Sequence, residues 1–346
     1  MFLRFLLASL SVVLVLSVLP AVTSLERVKT YSLKRSDGSD IVYHLISSSS
    51  PAHDATEKRS LLVALQGSDC NSALNNPALQ RDLWALRPRS DLLLVEKRGI
   101  DETLVWSDDP ERADCPQEAV HLDTPGRRAR DVSRVLAGFP DSEIHYSSIV
   151  AVGGSEGAVV AALLNEKIWG LDAIVMFNSG GRNFRDDIEH SMAASIPDPE
   201  QLKAVRSEFL GFWQMVRTSR EPLEFEVSGH GYNWWREMVL QDLWLVLLDA
   251  RAPVLLIQGG QDEAVSPRSV DRLVRDLQKE RPEILTYELL PELDHRLYDL
   301  KGQNRMNEVM QGAAFWLKDH LTEKAEGEDP GEDLMQQFRM PLSVTR

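Results

Sequence analysis

Five consecutive residues, Gly153-Gly154-Ser155-Glu156-Gly157, hold a serine between glycines in the pattern Gly-x-Ser-x-Gly. That spacing suits a serine carried on a very tight turn from a strand into a helix. Side chains beside such a turn would collide, so glycine is needed two residues to either side, and the hydroxyl is lifted clear of the chain. A hydroxyl held at a helix N-terminus can attack a carbonyl carbon, because the N–H groups there favour the oxyanion that forms. The attack also needs a base and a group that orients the base. Gly259-Gly260-Gln261-Asp262 supplies a carboxylate, with Glu263 beside it as a rival acid, and Leu293-Asp294-His295 supplies an imidazole. In this arrangement His295 takes the proton of Ser155, while Asp262 fixes the imidazole tautomer and stabilises the imidazolium. Asp294 adjoins His295, but successive side chains point apart, which argues against it as the orienting acid.

The elements needed to hold these residues are visible as continuous apolar runs. Leu61–Leu65, Leu92–Val95, Ser148–Val152, Ala173–Phe177 and Val254–Ile257 read as strands buried on both faces. Ile284–Leu290 is more mixed and belongs nearer an edge. Amphipathic stretches lie between and after them, at Arg127–Leu136, Ala158–Glu166, Pro267–Lys279 and Met306–Leu321. The third of these starts after Ser266, a good N-cap, with proline at the first helical position. Strands alternating with helices predict a mostly parallel sheet covered on both faces. Ahead of it, Lys29–Lys34 and Ile41–Ser47 read as a hairpin around Asp37-Gly38. Ser155, Asp262 and His295 each fall just past a strand end, so one sheet edge would carry all three.

Residues 182–250 break the alternation. They hold Trp213, Trp234, Trp235 and Trp244, half of the eight tryptophans, and show helical spacing over Gln201–Val216 and Trp235–Leu248. A helical insertion with Trp234 and Trp235 lining a substrate pocket is expected. The alternative is that these rings glue the insertion to the body.

The remaining composition bounds the possibilities. The net charge of −15 repels phosphate backbones and points away from nucleic acid. Residues 1–24 have the layout of a secretory signal: Arg4 near the start, an apolar run from Phe5 to Leu19, then Val22 and Ser24 as small residues before a cleavage point. A retained anchor is the alternative, but the run is short for a span of about 20 residues. A secreted or periplasmic chain without stable membrane insertion is expected. In such a chain the two cysteines, Cys70 and Cys115, are expected to form a disulfide. No Cys/His group has metal-ligand spacing, so neither metal nor cofactor is expected. Residues 323–346 are acidic and poor in apolar anchors, the composition of a disordered tail.

The strand, the elbow at Ser155, the helix after it, Gly-x-x-Asp262 and His295 together resemble the α/β-hydrolase superfamily across about residues 30–321. Glu96-Lys97-Arg98-Gly99 is similar to the Asp-x-Arg-Gly stretch of its proline iminopeptidase-like branch. Two departures stand out: Gln66-Gly67 where many members have His-Gly, and Asp294-His295 where many have Gly-His. The resemblance implies an α/β-hydrolase fold with a helical cap at about 182–250, and an oxyanion hole made by the backbone N–H groups of Ser68 and Glu156. It also implies that Cys70 and Cys115 leave neighbouring strands. The implied activity is hydrolysis of a small carboxylic ester through an acyl-enzyme. The alternatives are an exopeptidase acting on a peptide, and a non-catalytic binding protein that keeps the fold.

Overall fold

The computed structural model describes residues 28–48, 59–109, 112–138, 146–167 and 170–327. The expected signal at 1–24 lies outside them. The chain opens with strands β1 (Val28–Lys34) and β2 (Asp40–Ile46), then β3 (Arg59–Leu65). A π-helical turn, Ala78–Asp82, runs into a 3-10 turn, Leu83–Leu86, before β4 (Asp91–Val95). Helices α1 (Gln117–Leu122) and α2 (Pro125–Gly138) follow, then β5 (Tyr146–Gly154), α3 (Glu156–Lys167) and β6 (Ala173–Phe177). The insertion contains α4 (Phe184–Ser195), α5 (Pro199–Thr218), a two-residue ribbon of β7 (Glu226–Val227) and β8 (His230–Gly231), and α6 (Tyr232–Leu240). After it come α7 (Leu243–Leu248), β9 (Val254–Gly259), α8 (Pro267–Glu280), β10 (Leu285–Leu290) and α9 (Met306–Gly327).

Eight strands form one sheet in the order β1-β2-β4-β3-β5-β6-β9-β10. β2 runs antiparallel to β1 and to β4, and every other pairing is parallel. The predicted hairpin is present, turning through Gly38 at φ 85 with the Asp37 side chain accepting from Ser39 N. The continuous apolar strands are explained by burial on both faces. Leu61, Val63 and Leu65 face one core layer and Leu62 and Ala64 the other. Val254 and Leu256 of β9 join the first layer, and Leu255 and Ile257 the second. Helices α2, α3, α7 and α8 supply the first layer, while α9 and the Ala78–Leu86 turns supply the second. β10 lies at the sheet edge, as its mixed composition predicts.

Two expectations are corrected by the packing. The helical spacing over Trp235–Leu248 belongs to two helices, because Asp242 leaves helical geometry and caps α7 by accepting from Trp244 N. Asp242 also pairs with Arg182 at 2.6 Å. Leu243 and Leu247 of α7 then bury in the main core, so the cap ends at Leu240 and not near residue 250. Helix α9 runs to Gly327, into the residues 323–346 expected as an acidic tail, and the rest of that tail lies outside the described residues. The β7–β8 ribbon was not legible as a strand pair. Its turn uses Ser228 and Gly229, both left-handed at φ 51 and 72, as a tight two-residue hairpin demands.

Cys70 and Cys115 are joined by a disulfide across a separation of 45 residues, tying the loop after β3 to the loop after β4. In the chain-entropy estimate a loop of this size contributes about 4 kcal/mol. The Cys70→Ser/Cys115→Ser double variant should therefore unfold at clearly lower urea than the parent. An unchanged midpoint would refute that contribution.

Candidate active site

The elbow is built where three strands come close. β5 ends at Gly154, Ser155 takes the left-handed value φ 54, and α3 starts at Glu156. Ser155 N donates to Phe177 O at the end of β6. A Cβ on Gly157 would lie 2.2 Å from Leu65 O of β3, and one on Gly153 would lie 2.4 Å from the Gly157 backbone. A Cβ on Gly154 would lie 2.1 Å from the Phe177 ring. The Gly-x-Ser-x-Gly pattern requires the first two. Gly154 is demanded by Phe177, a tertiary contact the pattern does not contain.

Asp262 follows β9 and its side chain is fully buried. Its Oδ1 accepts from Ala264 N and Val265 N at 2.9 and 2.7 Å, and its Oδ2 accepts from Gln258 Nε2 at 3.2 Å. The same Oδ2 lies 2.8 Å from His295 Nδ1. This contact places the ring proton of neutral His295 on Nδ1 and leaves Nε2 as the acceptor. Glu263 is exposed beside it, so Asp262 alone meets the imidazole.

Asn178 was missed by sequence reasoning. It is fully buried at φ 49, directly after β6. Its Oδ1 accepts from Gly259 N at 2.8 Å, and its Nδ2 donates to His295 O at 2.8 Å and Asp294 O at 3.3 Å. One side chain thus clamps the end of β9 to the histidine loop. The signal available in the sequence was an amide ending the wholly apolar strand Ala173–Phe177.

Ser155 and His295 line one cavity of about 360 Å³. Gly67, Asp69 and Gly154 also line it, and its apolar wall includes Leu79, Leu83, Phe177 and Met306. The mouth carries Trp106, Asp108, Asp109, Arg296 and Tyr298. The Trp106–Asp109 segment is fastened by Asn71, whose amide exchanges hydrogen bonds of 2.8 and 2.9 Å with the Ser107 backbone.

The expected pocket residues Trp234 and Trp235 are not among those lining this cavity. Both are 5% exposed and sit in the aromatic core of the cap with Phe209, Trp213 and Tyr232. The Trp235 indole donates to Val227 O at 3.0 Å, and its ring meets that of Phe212 edge-on. Trp234 donates to Glu156 Oε2 at 2.5 Å and stacks on His230 at 3.9 Å. The cap therefore attaches beside the cavity, against α1 and α2, and the loops after β3, β4 and β10 wall the cavity instead.

Glu156 is itself buried, with its Oε1 2.7 Å from Arg128 Nη1. Burial opposes its charge, but Arg128 and Lys97 outweigh that and hold its carboxyl below the usual range. Burial pushes the Lys97 ammonium down, with Arg128 adding repulsion. Of the proposed oxyanion donors, Glu156 opens α3 and Ser68 lies between two cavity-lining residues, Gly67 and Asp69. Among the described residues no group of His, Cys, Asp or Glu is arranged to hold a metal ion, and no helix is long and apolar enough to cross a membrane.

No family model and no curated protein matches this sequence. Solved structures do match it. An esterase of Pyrococcus furiosus aligns over 86% of this chain and 90% of its own, with a TM-score of 0.54 at 12% identity. A proline iminopeptidase of Mycobacterium smegmatis aligns over 86% of this chain and 100% of its own, with a TM-score of 0.55 at 15% identity. A puromycin-hydrolyzing peptidase of Mycobacterium tuberculosis aligns over 88% of this chain but 41% of its own, with a TM-score of 0.58 at 13% identity. At such identities the likeness establishes the fold.

The imidazole of His230 is driven down to about 4, chiefly by burial, against the pull of Glu156. The folded state thus disfavours the imidazolium. The contribution of the neutral ring is fully present above its ordinary value of about 6.5 and is lost as pH falls from there through about 4. Asp187 and Asp123, raised by burial to about 7 and about 6, act in the opposite sense. A comparison of two proteins isolates His230. Tryptophan emission should report loosening of the cap on acidification, and His230→Phe should delay it to lower pH. Coincident acid transitions would refute the role of His230.

Proposed function

The chain has the α/β-hydrolase fold, and on that premise we propose that it is a serine hydrolase working through Ser155, His295 and Asp262. The observation that carries this reading is the 2.8 Å His295–Asp262 contact, with the imidazole sharing a cavity with a serine on a left-handed elbow. In the proposed reaction Ser155 Oγ attacks the substrate carbonyl carbon while His295 Nε2 takes the hydroxyl proton. The carbonyl oxygen becomes an oxyanion facing the N–H groups of Ser68 and Glu156. Collapse expels the leaving group, which receives the proton from His295, and an acyl-serine remains. Water, deprotonated by the same imidazole, then releases the acid and restores Ser155.

A carboxylic ester is the first substrate class, since the apolar wall of Leu79, Leu83 and Met306 suits an acyl or alkyl group. A second reading, an exopeptidase acting on a substrate with a free amine, is favoured by one observation. Asp69, Asp108 and Asp109 line the cavity together with the single guanidinium of Arg296 and the rings of Trp106 and Tyr298. A non-catalytic binding protein is the reading that activity would exclude. The disulfide and the signal-like residues 1–24 support export to an oxidising compartment.

Ser155 should be labelled by a fluorophosphonate, and Ser155→Ala should lose both labelling and hydrolysis. Labelling that survives at another serine would sink the assignment. Asp262→Asn should lower kcat by orders of magnitude, on the order of 10⁴ as in serine proteases, while Glu263→Gln stays near the parent. The substrate readings separate through Asp108→Asn. If the acidic mouth binds an amine, KM should rise several-fold for aminoacyl esters and amides and stay level for neutral esters of the same size. Equal effects on both sets would remove the exopeptidase reading.

A further inference from the structure

In the loop after β3, five carbonyl groups accept from side chains that do not line the cavity. Gln66 O accepts from Arg128 Nη2 at 2.5 Å, and Gly67 O accepts from Arg128 Nη1 at 3.4 Å. Asp69 O accepts from Lys97 Nζ at 2.5 Å, and Cys70 O from Arg112 Nη1 at 3.3 Å. Asn71 O accepts from Gln66 Nε2 at 2.9 Å. No cis peptide bond occurs among the described residues, and in a trans peptide the C=O and N–H point to opposite sides. The Gly67 carbonyl shares its peptide with the Ser68 N–H. Drawing that oxygen toward Arg128 aims the Ser68 N–H the other way. Gly67, Asp69 and Ser155 line the cavity and Arg128 does not, so the other way is the side of the loop that borders the cavity.

The same guanidinium reaches the second half of the site. Its Nη1 lies 2.7 Å from Glu156 Oε1, and the Glu156 N–H opens α3 immediately after Ser155. Arg128 and Glu156 are both buried, with side chains 8% and 3% exposed. A guanidinium offers five donors in a rigid plane, so it can hold two carbonyls and a carboxylate at once, which a lysine ammonium on a flexible stem cannot reproduce.

We propose that Arg128 is the positioning residue of the oxyanion hole, holding the Gly67–Ser68 peptide and the first residue of α3 in the relative placement that lets Ser68 N–H and Glu156 N–H converge on one oxygen. Lys97 assists by holding the Asp69–Cys70 peptide of the same loop. The proposal rests on the serine-hydrolase reading of Ser155. It differs from a purely structural ion pair between α2 and α3, because its effect falls on the transition state. The donors meet the oxyanion and not the bound ground state, so their misplacement lowers kcat and leaves KM nearly unchanged.

The test compares Arg128→Lys, Arg128→Gln and Glu156→Gln with the parent and with Ser155→Ala. It measures kcat and KM on a short acyl ester, inhibition by a trifluoromethyl ketone that forms a tetrahedral adduct, and the thermal midpoint. Arg128→Gln should lose about 10- to 100-fold in kcat, in the range expected for misplaced or lost oxyanion donors. KM should stay within about threefold. Affinity for the ketone should fall in parallel with kcat/KM. Arg128→Lys and Glu156→Gln should fall between this variant and the parent. They carry the test if Arg128→Gln does not fold. Variants with a lowered thermal midpoint but parental kcat and ketone affinity would overturn the proposal. Activity that persists in Ser155→Ala would instead overturn the reading beneath it.

Discussion

The whole site depends on how closely the chain passes its neighbours where β5 becomes α3. Ser155 is held at φ 54, a value that costs free energy for a residue with a side chain. The surroundings over-determine it. β3 presses Leu65 O against Gly157, and the Phe177 ring closes over Gly154. Phe177 O takes the Ser155 N–H. Behind the turn, Ala158, Val160, Ala161 and Leu164 of α3 are completely buried, so the helix cannot relax away from the sheet. A strained serine is tolerable here because its backbone is held between β3, β6 and the buried face of α3.

Charge is used inside the protein to hold loops that have no regular structure of their own. The Glu96-Lys97-Arg98-Gly99 stretch after β4 shows this. Glu96 is fully buried and accepts from His44 Nε2, Ser72 Oγ, Ala73 N and Leu74 N. Lys97 takes the Asp69 carbonyl, and Arg98 pairs with Asp37 of the first hairpin at 2.5 Å. Buried ions are costly unless every oxygen and proton finds a partner. Glu96 thus fixes the backbone at Ala73 and Leu74 and Lys97 fixes it at Asp69, all in the loop after β3, while Arg98 ties the loop after β4 to the first hairpin. The disulfide adds a covalent tie in the same place, from Cys70 to Cys115.

The cap is joined to this machinery by polar contacts. Trp234 donates to Glu156, Asn233 Nδ2 donates to His121 O at 2.7 Å, and the Glu237 carboxylate accepts from Gly126 N. Its aromatic cluster is largely self-contained. The insertion thus rests on α1, α2 and the start of α3, and none of its residues lines the cavity.

Much of this was legible in the residues alone. Continuous apolar runs mark strands buried on both faces, Asp37-Gly38 marks the hairpin, Ser266-Pro267 marks a helix start, and Gly153–Gly157 marks the elbow. These features depend on a few neighbours along the chain, and local sterics dictate them directly. What tertiary structure decided was the set of long-range meetings. It brought Asp262, and not its exposed neighbour Glu263, into contact with the imidazole of His295. It set Asn178 as the clamp on the histidine loop and Arg128 behind the loop after β3. It also moved the tryptophans from the pocket to the core of the cap. An apolar ring is equally at home lining a cavity or filling a core, and its spacing along a helix is the same in both. Which surface it meets depends on how loops separated by many residues pack across one sheet edge, and no local pattern carries that information.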